Sequence, residues 1–225
     1  MPMSSTFANR REAGQALAAA LWQYAGRQEV AVLALPRGGV PVAFEVAAAL
    51  DAPLDIFVVR KLGMPGHPEF AMGAIASGGV RVLNEPIVHH YGVPQRAIDA
   101  IAAQEQVELE RREREYRQGR PLIDIANHVT ILIDDGLATG STMRAAVEAI
   151  RQLDPARLVV AAPVAAAETC EELRHLADEV VCARTPEPFA AVGLWYRDFA
   201  ETTDEEVREL LHLHEARRHV GARHS

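Results

Sequence analysis

The stretch VTILIDDGLATGSTMRAA, Val129 to Ala146, decides how the rest of the chain reads. Branched apolar residues run straight into Asp134 and Asp135, a loop of glycine, threonine and serine follows, and then a helical pattern begins. A short apolar run closed by glycine and continued by a helix is the pattern of a strand buried on both faces of a parallel sheet. Working outward, EVAVLAL predicts a first strand, PRGG a turn, VPVAFEVAAAL a helix and LDIFVVRKL a second strand, preceded by a helix from about Ala8 to Tyr24. Downstream, RLVVAAPVA and EVVCART predict a fourth and a fifth strand, with ETCEELRHLA as the helix between them. This alternation predicts an α/β fold, a doubly wound parallel sheet of about five strands with right-handed crossovers. Ligands of such sheets sit beyond the carboxyl ends of the strands.

Between the second and third strands the pattern changes. Glycine and proline crowd the segment from Gly63 to about Gly79, including GMPGHPEF, and predict a mobile loop followed by a short hairpin ending in VRVLN. Residues 63–84 are thus expected to be a flexible lid. Val93 to Gln118 predicts a long inserted helix, with Glu108–Arg112, Glu110–Arg114 and Glu113–Arg117 at pairing distance and Ile98 and Ile101 as a short apolar foot. Its balanced charges read as a solvated face or, equally, as a contact in a homodimer. The tail HLHEARRHVGARHS predicts a frayed polar terminus.

Composition limits the function classes. With 225 residues, 49% hydrophobic and 24% charged, the chain has enough apolar material for one domain with a true core. There is no apolar run long enough to span a bilayer and no cleavable leader, so a soluble cytoplasmic protein is expected. Cys170 and Cys182 lack metal-ligand spacing and read as packing residues of a reducing compartment. A net charge of −8 argues against a nucleic-acid surface, which leaves small molecules as the expected partners. An anionic ligand must therefore meet a local cluster of positive charge. Lys61 is the only lysine among 23 basic residues. A general preference for arginine explains most of that bias, yet a site needing a compact point charge would resist the exchange, which marks Arg60 and Lys61.

Two loops carry the chemistry. Pro36 to Gly39 is either a tight turn or an anion cradle, in which the glycines let main-chain amides approach a phosphate and Arg37 adds a charged fork. Neither GxGxxG nor GxxxxGK[ST] is present. In the second loop, amides and hydroxyls from Gly136 through Leu137, Ala138, Thr139, Gly140, Ser141 and Thr142 suit a terminal phosphate at a helix N-terminus. Asp134 and Asp135 would repel that phosphate, so they must serve something uncharged or cationic, such as sugar hydroxyls or a magnesium ion. A phosphorylated sugar satisfies both demands. The plain alternative is a pair of aspartates that caps a strand and a helix.

VTILIDDGLATGST resembles the 5-phosphoribosyl-1-pyrophosphate (PRPP) signature of type I phosphoribosyltransferases, ALPRGG resembles their pyrophosphate loop, and VVRKLGMPGHPE resembles the start of their catalytic loop. Order and spacing agree from about Val30 to Pro186, and the whole chain is similar to bacterial members of unassigned acceptor. The resemblance implies that Ala138 to Thr142 hold the 5-phosphate and that Asp134 and Asp135 face the ribose diol. Arg37, Gly38, Gly39, Arg60 and Lys61 would grip the pyrophosphate, with a strained or cis peptide near Arg37. It implies Mg2+ bridging pyrophosphate and ribose oxygens, with Asp134 and Asp135 reached through water or through the PRPP hydroxyls. Residues 187–200 resemble a base-binding hood, with Phe189, Val192, Trp195 and Tyr196 as candidates to line or stack on a base. Ala138 stands where 6-oxopurine enzymes place an acid, Ala76 aligns near the lid glutamate of adenine-type enzymes, with Glu69 the nearest acid, and APVAAAE lacks the lysine that reads a 6-oxo group.

The resemblance implies a magnesium-dependent transfer of phosphoribose to a nitrogenous acceptor, one that could be a purine-like base. A regulatory PRPP- or nucleotide-binding protein that kept the loops without the acid is the alternative. A receiver-type fold phosphorylated on Asp134 or Asp135 is a distant third, since a receiver is about half this length.

Overall fold

The computed structural model describes residues 6–221, with side chains described through His219. Five parallel strands form the central sheet: β1 (Val30–Ala34), β2 (Leu54–Ile56), β6 (Val129–Ile133), β7 (Arg157–Val164) and β8 (Glu179–Arg184), in the spatial order β2-β1-β6-β7-β8. Every pairing is parallel, with Val30 opposite Val129 and Val129 opposite Arg157. β1 and β6 are buried along their whole length, as their unbroken apolar runs require.

Alternation along the strands builds two cores. Val30, Val32, Ala34, Ile131 and Ile133 face α1 (Arg10–Ala20), α2 (Gly39–Leu50) and α7 (Asp204–Gly221). Ala31, Leu33 and Leu132 face α5 (Ser141–Arg151) and α6 (Ala167–Leu173). Helices on both faces of a parallel sheet are the doubly wound arrangement expected from the sequence.

The expected second strand is in fact two strands of different sheets. After Ile56 the main chain leaves the parallel sheet: Phe57 still donates to the Ala34 carbonyl at 2.8 Å, but Val58 donates to Ser77 Oγ at 2.9 Å. The Ile56 carbonyl is taken at 2.7 Å by Arg117. The chain continues as β3 (Val59–Met64), β4 (His67–Ala76) and β5 (Val80–Leu83), an antiparallel three-stranded sheet. The stretch from Gly63 to Gly79, expected to be a mobile loop leading into a short hairpin, is mostly strand, so the hairpin is longer and the loop shorter than expected. Its glycines mark a bulge, where Gly63 lies so close to Pro68 that a Cβ would meet the carbonyl at 2.5 Å, and turns at Gly66, Gly78 and Gly79, all with positive φ.

After α3 (Glu85–His90), the inserted helix is α4 (Gln95–Arg117). Glu108–Arg112 and Glu113–Arg117 pair as expected, at 2.8 and 2.6 Å, whereas Glu110 accepts from Gln106 instead of Arg114. The helix is more than a solvated rod, because Ile98, Leu109 and Tyr116 join the core and Arg117 is buried. Arg117 Nε lies 3.0 Å from Asp55, and the amides of Ile56 and Ile123 satisfy the same carboxylate. The tail is also different from the expectation. Residues 212–221 continue α7, and His214 is buried, its Nε2 2.9 Å from the Ala52 carbonyl and its ring edge-on to Phe44. Periodicity missed it because a buried histidine looks like the polar ones around it.

Candidate active site

The carboxyl ends of β1 and β6 deliver the two loops to one place. Leu35 donates to the Ile133 carbonyl at 2.8 Å, extending the pairing one residue beyond the strands. The loops then touch. A Cβ on Gly38 would lie 2.1 Å from Asp135 Oδ2, and one on Gly39 would lie 2.7 Å from the Ile133 carbonyl. Gly38 has an ordinary helical φ of −59°, so close approach rather than backbone freedom is why a glycine stands there. The Pro36–Arg37 peptide is cis, as the resemblance implied.

Both loops end in helix N-termini without a side-chain cap. Gly38 is the N-cap of α2 and Gly140, at φ +65°, the N-cap of α5; neither helix receives a capping hydrogen bond from a side chain. α1, by contrast, is capped by Asn9, which accepts from the Glu12 amide at 3.0 Å. Open N-terminal amides and the helix dipole favour an anion. The 136–142 loop is anchored from behind: Leu137 donates to Val164 at 2.9 Å, Ala166 donates to Leu137 at 2.9 Å, and Thr169 Oγ1 donates to the Ala138 carbonyl. Ala138, Thr139 and Thr142 are exposed, so the bend is open to solvent.

Between the helix ends stand the acids, both half-buried. Asp134 Oδ1 accepts the Asp135 amide at 2.8 Å. Burial, and then the neighbouring Asp135 charge, push the Asp134 carboxyl well above its ordinary range. Burial raises Asp135 as well, against the opposing charge of Arg10, whose Nε lies 2.8 Å from Asp135 Oδ2.

The expected basic residues separate. Alternation along β3 sends Lys61 and Arg60 to opposite sides: Lys61 Nζ donates to Ser141 Oγ at 2.6 Å, at the first turn of α5, while Arg60 Nε donates at 2.7 Å to Glu105 of α4. Arg60 is thus paired on α4, away from the 36–39 and 136–142 loops. Lys61 lies over the phosphate-type loop, and Arg37 pairs with Glu201 and, at 3.7 Å, with Asp204. Glu69 sits exposed toward the hairpin tip, between the His67 and Ala71 rows, without an ion pair or hydrogen bond among the described residues. Ala76 is buried at the base of the hairpin opposite Val59, so the position of an acid on a lid is not there.

Residues 187–200, the segment expected to form a hood, meet the chain near Phe7. Phe7 pairs with it as a short parallel bridge, donating to Trp195 at 2.7 Å and accepting from Arg197 at 2.8 Å. Val192 packs on Gly136, where a Cβ would lie 2.4 Å from Val192 Cγ1. Phe189 and Trp195 stack on each other with centroids 6.4 Å apart. Tyr196 departs from its expected role: it is buried, and its hydroxyl donates to the Asp135 carbonyl at 2.6 Å, which leaves no free ring face for a base. A cavity of about 620 Å³ lies between Ala166–Glu168 and Pro186–Phe189, beside the loop after β7. Among the described residues no group of three or more His, Cys, Asp and Glu side chains is placed to hold a metal ion, and no helix is long and apolar enough to cross a membrane.

Arg10 and Glu201 escaped the sequence reading. Both lie in stretches, FANRREAGQALAAAL and VGLWYRDFAETTDEEVRELL, whose resemblance is to the whole segment and marks no single residue for a role.

Comparison with known proteins agrees with this fold. The family described as the phosphoribosyl transferase domain matches residues 7–196. Two proteins of Mycobacterium tuberculosis, from strains CDC 1551 and H37Rv, carry the provisional name of phosphoribosyl transferase and are each 46% identical over 201 residues, covering 89% of this chain. The match covers 45% of their length, so the chain spans less than half of these relatives. The crystal structure of a Thermus thermophilus protein, 45% identical, superposes with a TM-score of 0.83 over 92% of this chain and 97% of that one.

Proposed function

Because the chain belongs to the phosphoribosyl transferase domain family, we propose that it transfers the 5-phosphoribosyl group of PRPP to a nitrogenous acceptor and releases pyrophosphate. The observation that carries this reading is the pair of uncapped helix N-termini, α2 and α5, on either side of two carboxylates. One molecule with an anion at each end and a diol between them matches that order.

In this reading the amides of Ala138 to Thr142 hold the 5-phosphate, helped by Lys61 at Ser141. Asp134 and Asp135 accept from the ribose hydroxyls. The 36–39 loop holds the pyrophosphate, and Arg37 turns to it from Glu201 and Asp204. The acceptor occupies the cavity beside Phe189. An acceptor nitrogen forms a bond to C1 of the ribose as the C1–O bond to pyrophosphate breaks, and the nitrogen's proton leaves to solvent or base. Positive charge grows on the ribose ring and negative charge on the leaving group, so the fixed amide dipoles and Arg37 favour the transition state over the ground state. Asp134 and Asp135 would reach a magnesium ion carried by the donor through water or the ribose hydroxyls, and that ion would supply further charge for the leaving pyrophosphate. The β3–β4 hairpin is the element suited to exclude water.

Incubation with PRPP, magnesium and a panel of purine, pyrimidine and other nitrogen acceptors should release pyrophosphate with at least one of them. The second reading, a PRPP-binding regulator, is favoured by the exposed Ala138 and by Glu69 lying near the hairpin tip. It predicts tight PRPP binding and no pyrophosphate with any acceptor; absence of PRPP binding removes both.

A further inference from the structure

Arg10 begins α1, far in sequence from every loop of the site, yet its guanidinium reaches Asp135, Ala200 and Phe199. Nε donates to Asp135 Oδ2 at 2.8 Å, with the two side chains only 13% and 15% exposed. Nη1 donates to the Ala200 carbonyl at 2.6 Å, and the guanidinium carbon lies 4.0 Å from the centroid of the Phe199 ring. Phe199 stacks on Tyr196 at 4.9 Å, and Tyr196 returns to Asp135 through its hydroxyl. The contacts close a ring: Arg10, Asp135, Tyr196, Phe199 and back to Arg10. Asp135 belongs to the donor loop; Tyr196 and Phe199 belong to the hood.

We propose that Arg10 is a positioning residue that orients the Asp135 carboxylate for the donor and joins that carboxylate to the hood, so that filling the donor site sets the packing of the acceptor side. By taking Oδ2, Arg10 holds the carboxylate in place against Gly38 and leaves Oδ1 for a ligand. A planar fork is required for this, because two donors in one plane serve Asp135 and Ala200 while the flat face lies on Phe199. Lysine can keep the ion pair and must lose the rest.

The inference rests on the reading of the site as a PRPP site, and the experiment separates the two. PRPP with magnesium is titrated into the full chain by calorimetry, with Arg10→Gln, Arg10→Lys, Asp135→Asn and the Arg10→Gln/Asp135→Asn double variant. Tryptophan fluorescence is followed in a Trp22→Phe background, so that Trp195 of the hood is the reporter. Arg10→Gln should weaken PRPP about tenfold, the loss of about one charge-assisted contact, and Arg10→Lys should recover part of that. In the Asp135→Asn background the glutamine should add little, because the group it orients is already altered. PRPP should change Trp195 emission in the Trp22→Phe protein and fail to do so when Arg10→Gln is added. Full PRPP affinity in Arg10→Gln, an effect that adds fully to Asp135→Asn, or an undiminished Trp195 response overturns the role of Arg10 while the PRPP reading stands. If the parent protein does not bind PRPP, that reading fails and this inference falls with it. Circular dichroism identifies a variant that merely unfolds, in which case Arg10→Lys decides.

Discussion

Asp134→Asn removes a charge and almost no volume, which makes it a clean probe of what the acid pair does. The Asp134 Oδ1 contact with the Asp135 amide, 2.8 Å long, is one that an asparagine oxygen can keep. What disappears is the charged acceptor for a ribose hydroxyl. A hydrogen bond to a charged group is worth about 1.5–3 kcal/mol. At about 1.4 kcal/mol per tenfold, the dissociation constant of PRPP should rise about 10- to 150-fold. Stability should move the other way or not at all, because burial and the Asp135 charge already oppose the ionised Asp134 in the folded protein. Calorimetric titration with PRPP and magnesium measures the first quantity, and thermal unfolding at neutral pH measures the second. An affinity within twofold of the parent would refute the assignment of Asp134 to the diol. A fall in unfolding midpoint would mean that the carboxylate is there for the fold.

Other perturbations test the frame around the acids. Gly38→Ala places a methyl 2.1 Å from Asp135 Oδ2, against a carboxylate that Arg10 holds in place, so PRPP binding should fail and stability should drop by about 1–3 kcal/mol; normal binding would show that the loops part easily. Arg117→Met leaves Asp55 charged and buried, and urea unfolding should show a loss of about 3–5 kcal/mol that Arg117→Met/Asp55→Asn largely restores. A loss under about 1 kcal/mol would mean water reaches the site. His214 has its pKa lowered by burial, despite the Ala52 hydrogen bond, with Arg218 and Arg217 adding repulsion. The unfolded chain then binds a proton that the folded one refuses, so this stability is present above the unfolded value near 6.5 and is lost as pH falls through it toward the folded value. The unfolding midpoint should fall between neutral pH and about pH 5.5 more steeply in the parent than in His214→Gln, and parallel curves would exclude the residue as the cause.

The parallel sheet was legible because its signal is local. Each of β1, β6 and β7 carries its own apolar run and the turn residues that end it, and burial on both faces needs no knowledge of the partner strand. The split of residues 54–62 was hidden for the same reason, since two strands that meet in the apolar run Ile56–Val59 look like one until Ser77 and Arg117 take the main-chain groups on either side of Phe57. That the 36–39 and 136–142 loops end at helix starts was also legible, because their glycines and hydroxyls lie next to the helical pattern in sequence.

Residues that act across the chain were not legible. Arg10 and Asp135 are 125 positions apart, Arg37 and Glu201 are 164 apart, and no spacing rule connects them. Arg60 and Lys61 are adjacent and chemically alike, and only the pleat of β3 with its neighbours α4 and α5 sends one to Glu105 and the other to Ser141. Sequence by itself determined which segments become the strands of the parallel sheet and which loops open into helices, because backbone preference and burial act over a few residues. Tertiary structure alone decided which charges meet, because the side chains of distant segments find partners only once the sheet has set their positions.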